Sequence, residues 1–428
     1  MPDSSRIQNP SSKTLRVLFL CCLLFGLLVC ALIPYAFHYP FDAPGTAFDP
    51  VQLEAFHRAE QYAMAIRWGG LFAFFIPIPA ILLVLTSGWA LVVERRFGKT
   101  PLRWPARILF LVGYFIFMKA VMLPYGIRAF LHGQAFDMTH LTLLQDLGNT
   151  FRGMPVALAT FLLASLLTYC CMPIFGRWWW LGAAVLLFLI FQVIPEKVSR
   201  MQPMDPVEDR ALLEAGPVHD ALSAVADTAG MDLAFYVVDE SKRTERINMY
   251  LTGRVGREYV VMTDNALAAC SPDELRAILA HELGHQVTRF VDVINTKVLT
   301  GAKVLVIMLI IHLWGRRRAV AEEWRLHTLI RILLVTKLVT LPLIPLTSAL
   351  NRYREREADE YALALTADPE SLHSALLTVA RANLTTYDVP TWSYGLAGTH
   401  PRLKDRLALA EQWSRNDAPD PAAPDLSP

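Results

Sequence analysis

Residues 271–285 read Ser-Pro-Asp-Glu-Leu-Arg-Ala-Ile-Leu-Ala-His-Glu-Leu-Gly-His, and the rest of the chain is read outward from them. Ser271 can cap a helix, and Glu274 stands three residues on, at the spacing of a capping box. The pattern predicts a helix over 271–289. On that helix His281 and His285 lie four apart and share a face, so two imidazoles can reach one ion. Zinc accepts neutral imidazole nitrogen, and a catalytic zinc site keeps one position for water. Glu282, next to the first histidine, can take a proton from that water. Gly284 weakens a helix by about 1 kcal/mol relative to alanine. Its presence makes sense if another element approaches the helix closely there.

Two histidines leave a third protein ligand to be found. Residues 351–361 read Asn-Arg-Tyr-Arg-Glu-Arg-Glu-Ala-Asp-Glu-Tyr and follow an apolar run directly, so they should continue its helix into water. Glu355 and Asp359 are four apart on one face. Glu355 can be a ligand, and Asp359 can orient a histidine ring through its other nitrogen. Spacing alone leaves Glu357 and Glu360 as rival ligands. It also leaves open a merely solvated charged face.

The chain has 428 residues, 54% of them hydrophobic, with net charge +1 and mean hydropathy +0.34. That is too apolar for an ordinary soluble protein, and the charge balance argues against a nucleic-acid partner. Seven apolar runs are long enough to cross a bilayer: 17–37, 69–93, 108–125, 155–175, 178–195, 298–314 and 326–350. Arg6, Lys13 and Arg16 before the first run also fit a signal peptide. Lys119, Lys303, Arg331 and Lys337 interrupt the weaker runs, either snorkelling to the interface or facing a watered interior. Five of the six cysteines lie in apolar runs, so no disulfide framework is expected.

The spans divide the chain into five segments. Residues 1–195 form an N-terminal membrane domain with five spans. Residues 196–297 form the zinc-helix part of a protease domain. Two further spans fill 298–350, and residues 351–415 carry the third ligand. A disordered tail is expected over 416–428, which is rich in Pro, Asp and Ala. Within 196–297 a helical pattern covers Asp209–Gly230. Ala234–Asp239 and Tyr259–Thr263 read as strands, with Asn248–Leu251 a further strand between them.

At these residues the chain resembles the type I CAAX prenyl endoproteases, membrane zinc metalloproteases that cleave near a lipidated C-terminus. The likeness runs in order through most of 48–410. It rests on Asp273-Glu274-Leu275 leading into Ala280–His285, and on Asn351-Arg352-x-x-Glu355-x-x-Ala358-Asp359. Thr399-His400-Pro401 with Arg406, and Asn248-Met249-Tyr250 before Tyr259–Asp264, complete it. The resemblance implies Glu355 as the third ligand, Asp359 behind a ligand histidine, and one Zn2+ per chain. It implies that His400 and Arg406 assist catalysis, and that Asn248 and Tyr250 belong to an edge strand that pairs with substrate backbone. It also implies a mainly α polytopic membrane fold of about seven transmembrane helices around a water-filled chamber, with a protease domain carrying a small β-sheet. Met249 departs from the small residue usual there. Gln286-Val287-Thr288-Arg289 stands where a further histidine is common.

The expected activity is therefore zinc-dependent endoproteolysis of a peptide or membrane-associated protein, lipidated or not, by a monomer surrounded by membrane lipid. One alternative is the heat-shock, quality-control branch of the same superfamily, and another is a zinc-holding peptide scaffold that does not cut. A site-2 type intramembrane protease fits poorly. Asp273, Glu274, Arg276 and Arg289 flank the zinc helix, and no Leu-Asp-Gly type motif follows the last run. A multi-pass protein of a bacterial inner membrane or its equivalent is expected. The side of the active site is open. The positive-inside rule applied to Arg95, Arg96, Lys99, Arg103 and Arg107 and to Arg316, Arg317, Arg318 and Arg325 places the zinc domain outside. The resemblance implies the cytosolic side.

Overall fold

A computed structural model describes residues 48–193, 210–254, 257–287, 291, 293–315 and 324–415. The expected first span, 17–37, and the expected disordered tail lie outside these residues. The chain is mainly α-helical, with one small sheet, and is an integral membrane protein of several passes. Among the described residues, five stretches of helix are long and apolar enough to cross a bilayer: Pro50–Ser87, Arg103–Ala135, Leu143–Val193, Ile294–Trp314 and Arg325–Thr366.

Seven spans were expected, and two of them, 155–175 and 178–195, fall together in Leu143–Val193. That stretch is interrupted. Helix α5 (Leu143–Phe175) ends at Gly176, whose φ of 50° is left-handed, and a short 3-10 turn leads into α6 (Trp179–Phe188). A left-handed φ is routine only for glycine, so the residue type and the break go together. Tyr169, Cys171 and Met172 of α5 share a buried core with Trp179, Ala183 and Ala184 of α6.

The expected 69–93 span begins earlier than its apolar run. Helix α1 (Pro50–Phe75) starts at a capping box, in which the Gln52 amide donates to Asp49 Oδ1 at 2.8 Å and the Asp49 amide to Gln52 Oε1 at 3.2 Å. In its first turns Phe56 packs into the same core as Leu372 and Leu407. Pro77 then opens α2 (Pro77–Ser87), and Gly88, with φ 70°, turns the chain into α3 (Trp89–Phe97). Helix α4 (Arg103–Ala135) follows after a short connection. A buried pair ties α3 to α4: Arg107 Nη2 donates to Glu94 Oε2 at 2.8 Å, and its guanidinium lies 4.8 Å from the Tyr169 ring. Arg107 thus brings its own counter-charge into the packed interior. Three of the four cations that interrupt the weaker apolar runs lie against rings: Lys119 on Phe115, Lys337 on Phe74, and Arg331 between Trp314 and Trp324.

The sheet has the order β1 (Arg210–Leu212), β2 (Ala234–Val238), β4 (Arg257–Thr263), β3 (Met249–Arg254). Strands β1/β2 and β3/β4 are antiparallel and β2/β4 parallel, with Met249 opposite Met262 and Leu251 opposite Val260. All three expected strands form. The helical pattern expected over 209–230 is shorter, because β1 occupies its start and Pro217 opens α7 (Pro217–Thr228) behind Gly216. A turn of helix, α8 (Asp264–Ala269), leads to α9 (Pro272–Val287), which carries the two histidines. Val260, Met262, Leu275, Leu279 and Leu283 form one buried core joining the sheet to α9.

Helices α10 (Leu299–Gly315) and α11 (Arg325–Thr366) lie in the last two apolar stretches. At 1.5 Å per residue, α11 is about 63 Å long. Leu326 and Ile332 pack in the core of the apolar helices, while Ala362 packs in the core beneath the sheet and Leu363 among the C-terminal helices. One continuous helix, with Pro342 and Pro345 inside it, therefore links the bundle to the site. Helices α12 (Pro369–Ala382), α13 (Thr391–Ala397) and α14 (Leu403–Ser414) close the domain.

Candidate active site

The expected capping box at the start of α9 is present. The Ser271 amide donates to Glu274 Oε2 at 2.7 Å, and the Glu274 amide to Ser271 Oγ at 3.2 Å. The other Glu274 oxygen accepts from Ser374 Oγ at 2.6 Å and Thr378 Oγ1 at 2.9 Å. One carboxylate thus starts α9 and fastens it to α12. Burial pulls its pKa upward, but the donors from Ser374, Ser271 and Thr378 prevail and hold it below the ordinary carboxylate value.

Along α9 the side of His281, Gly284 and His285 meets α11. A Cβ built on Gly284 would lie 2.7 Å from Cα and 3.0 Å from the carbonyl oxygen of Ala358. The glycine is therefore required by the close approach that its cost in a helix suggested. That approach brings Glu355 between the two histidines. Glu355 Oε2 is 3.5 Å from His281 Nε2, and its Oε1 is 3.6 Å from His285 Nε2. The two rings stand 4.8 Å apart, at 80° to one another. One ligand atom from each of His281, His285 and Glu355 lies within 4.8 Å of the others, the only such group among the described residues. Glu357 and Glu360 are outside it, and Glu360 pairs with Arg356 at 2.8 Å.

Behind this cluster, His281 Nδ1 is 2.9 Å from Asp359 Oδ1. Asp359 is 1% exposed and accepts twice from Arg406, Nε to Oδ2 at 2.7 Å and Nη2 to Oδ1 at 2.6 Å. With its Nδ1 proton directed at a carboxylate, His281 presents a lone pair on Nε2. Burial lowers the proton affinity of His281, but Asp359 and Glu355 reverse this and raise its pKa to about 9, so a metal ion binding at Nε2 would displace a proton from it. For His285, burial and the charge of its neighbour lower the pKa to about 4, so this ring is neutral at pH 7. Burial raises Glu282 to about 7. The N, N, O donor set fits a metal ion.

A cavity of about 240 Å3 opens on this group. Asn248, Met249, Glu282, His400 and Arg406 line it together with the three candidate ligands. His400 Nε2 is 3.6 Å from Glu355 Oε2. Arg406 lines the cavity with both of its hydrogen bonds directed at Asp359. Asn248 lines the cavity and Tyr250 does not. Thr288 and Arg289 fall outside the described residues.

Two contributors were not read from the sequence. Arg352 Nη1 donates to the carbonyls of Tyr394 at 3.1 Å and Gly398 at 2.6 Å, while its guanidinium stacks 4.6 Å from the Tyr394 ring. It thereby anchors the loop that presents His400. Asn383, at the end of α12, accepts from the Ile247 amide and donates to the Ile247 carbonyl, both at 2.9 Å. Arg352 stood in a quoted motif without a role. No spacing pointed to Asn383, which meets Ile247 across 136 positions of chain.

Residues 212–414 match peptidase family M48. Over 257 residues the chain is 30% identical to Protease HtpX homolog 1 of Streptomyces coelicolor, covering 55% of this chain and 78% of that protein. The chain belongs to peptidase family M48. This M48 protein is also 24% identical over 402 residues to the uncharacterized metalloprotease YhfN of Bacillus subtilis, covering 87% of this chain and 90% of the relative. Its fold matches the crystal structure of S. mikatae Ste24p with a TM-score of 0.68, at 20% identity, over 93% of this chain and 98% of that one. The likeness read in the sequence thus holds at the level of family and fold.

Proposed function

We propose that this M48 protease is a zinc endopeptidase whose metal is held by His281, His285 and Glu355. The observation that carries the reading is the convergence of those three side chains, with Asp359 on the far nitrogen of His281. Two nitrogens and one oxygen are a donor set that catalytic zinc sites use. When bound, zinc supplies Lewis acidity toward water and the scissile carbonyl. Glu282, beside the first ligand and lining the cavity, takes the proton of the attacking water and returns it to the leaving amine. His400 donates to the oxygen on which negative charge develops. Arg406 acts through Asp359, fixing the tautomer and orientation of His281.

The substrate is an extended peptide at the membrane surface, lying along β3, the outer strand of the sheet. Asn248 and Tyr250 flank Met249 on that stretch with their own backbone groups turned to β4, so the peptide pairs with the residues that alternate with them. A second cavity of about 600 Å3, between α1 and α11, reaches the same His400 and is lined by Ile66, Leu71, Phe74, Leu341 and Ile344. It favours a substrate carrying a lipid or an apolar membrane segment, as in the CAAX branch, over a wholly soluble one. We propose a monomer in contact with lipid. The test is peptide cleavage by the purified full-length chain, with chelator and zinc add-back, beside Glu282→Gln. That variant should keep zinc and lose turnover. Parental rates in Glu282→Gln would remove Glu282 from the role of base.

A further inference from the structure

The approach to β3 is patterned. The Asn248 amide donates to Thr263 Oγ1 at 3.1 Å and its carbonyl accepts from the Thr263 amide at 3.0 Å, so its backbone faces β4. In an antiparallel pair the backbone groups of successive residues face alternate sides of the strand. Those of Met249 and Leu251 therefore face the outer edge, and so do those of Ile247. At Ile247 both groups are taken, by the side-chain amide of Asn383. An asparagine amide carries one donor face and one acceptor and can pair with a strand as another strand would. At this position Asn383 stands in for one residue of a neighbouring chain.

Asn383 is also firmly placed. It is the C-cap of α12, and the next residue, Leu384, has φ 51°, left-handed and strained for leucine. The Thr385 amide closes the helix end onto the Ala380 carbonyl at 2.8 Å, and Leu384 is buried with Ala59, Tyr62 and Met138. Asn383, Met249 and Glu282 all line the one cavity.

We propose that Asn383 fixes the register of the peptide in the cleft. It ends the pairing edge at Ile247, so that a bound peptide pairs with Met249 and Leu251 and leaves the strand where Asn383 stands. This rests on the protease reading above and adds what decides which bond is cut. A peptide slipping by one residue would turn every side chain to the opposite face, so the permitted error is a slip of two. Asn383 is a positioning residue. It acts through the strand edge and not on the scissile bond.

The experiment uses the full-length chain in detergent, loaded with zinc, and casein as probe, with cut sites mapped by mass spectrometry. Asn383→Ala should retain metal and cleave, with new cuts two residues from the parental sites. Asn383→Asp, which cannot donate to the Ile247 carbonyl, should do the same. Unchanged cut sites in active Asn383→Ala would overturn the proposal. A second measurement needs no variant. The best-cut casein sequence is made as peptides carrying a backbone N-methyl at each position in turn. Loss of about tenfold in cleavage, the scale of one strand hydrogen bond, should recur at alternate residues and stop at the exit point. Loss that continues with period two beyond that point would overturn the proposal. A wild-type chain that cuts neither casein nor a prenylated C-terminal peptide counts against the protease reading itself and takes the proposal with it.

Discussion

Gly284 lies so close to Ala358 that a methyl group on it would sit 2.7 Å from the Ala358 Cα. The contact is backbone to backbone, between the helix that carries both histidines and the helix that carries Glu355, so it sets the spacing of the three candidate ligands. A Gly284→Ala chain gains helix propensity of about 1 kcal/mol. Overpacking against a backbone that cannot turn aside costs about 1–3 kcal/mol. The variant should melt lower and bind zinc more weakly, as read by thermal unfolding and chelator competition. An unchanged zinc affinity would mean that the helices part without disturbing the ligands.

Asp359 joins His281 to Arg406. Asp359→Asn can still accept a hydrogen bond but can also offer an N–H toward Nδ1, which permits the wrong tautomer. Loss of such a partner weakens metal binding by about 10–100-fold, measurable by competition with a chromogenic chelator. Arg406→Ala leaves the buried Asp359 charge without its guanidinium, and breaking a buried pair in this way destabilises by about 3–5 kcal/mol. That variant should show a lower melting temperature as well as weaker metal binding.

Arg352 ties the emerging end of α11 to the loop before His400. Arg352→Ala should retain zinc and lower kcat about tenfold, the effect of one misplaced transition-state hydrogen bond. Arg352→Lys restores a donor but not the planar face stacked on Tyr394, so it should recover only part of the loss. Equal zinc content with full kcat in Arg352→Ala would free the loop from this role.

Glu274 supplies the pH dependence. Its folded pKa lies below the ordinary carboxylate value, so its contribution is fully present above about pH 4.3 and is lost as pH falls through the folded value. Replacing Ser374 and Thr378 by alanine and valine removes two of its donors and raises the folded pKa toward the unfolded one. The acid-unfolding midpoint, followed by circular dichroism, should move to higher pH, and Glu274→Gln should flatten the acid dependence. A midpoint that stays in place in both variants would locate the acid-sensitive step elsewhere.

The helix that carries His281 and His285 was legible because its signals are local. The cap at Ser271, the i, i+4 histidines and the out-of-place Gly284 all lie within 15 residues, and each depends on helix geometry alone. Glu355 was distinguishable from Glu357 and Glu360 only by resemblance, since a charged helix face gives no sign of which carboxylate turns inward. Its position follows from the contact of Gly284 with Ala358, a tertiary fact. Asn383 and Arg352 were silent for the same reason, as each acts on backbone far away in sequence. The missed β1 strand has three residues and depends on its partner β2. The start of α1 was misjudged because hydropathy reports where a helix is apolar and not where its cap stands.

The central claim is that Glu355 completes a metal site with His281 and His285. The direct measurement is zinc per chain, by elemental analysis of the purified full-length protein and its Glu355→Gln variant, with thermal unfolding as a control for folding. The account predicts one zinc per wild-type chain and a large loss of zinc from a folded Glu355→Gln protein. A folded variant that keeps its full complement, or a wild-type chain that binds no zinc, would contradict it.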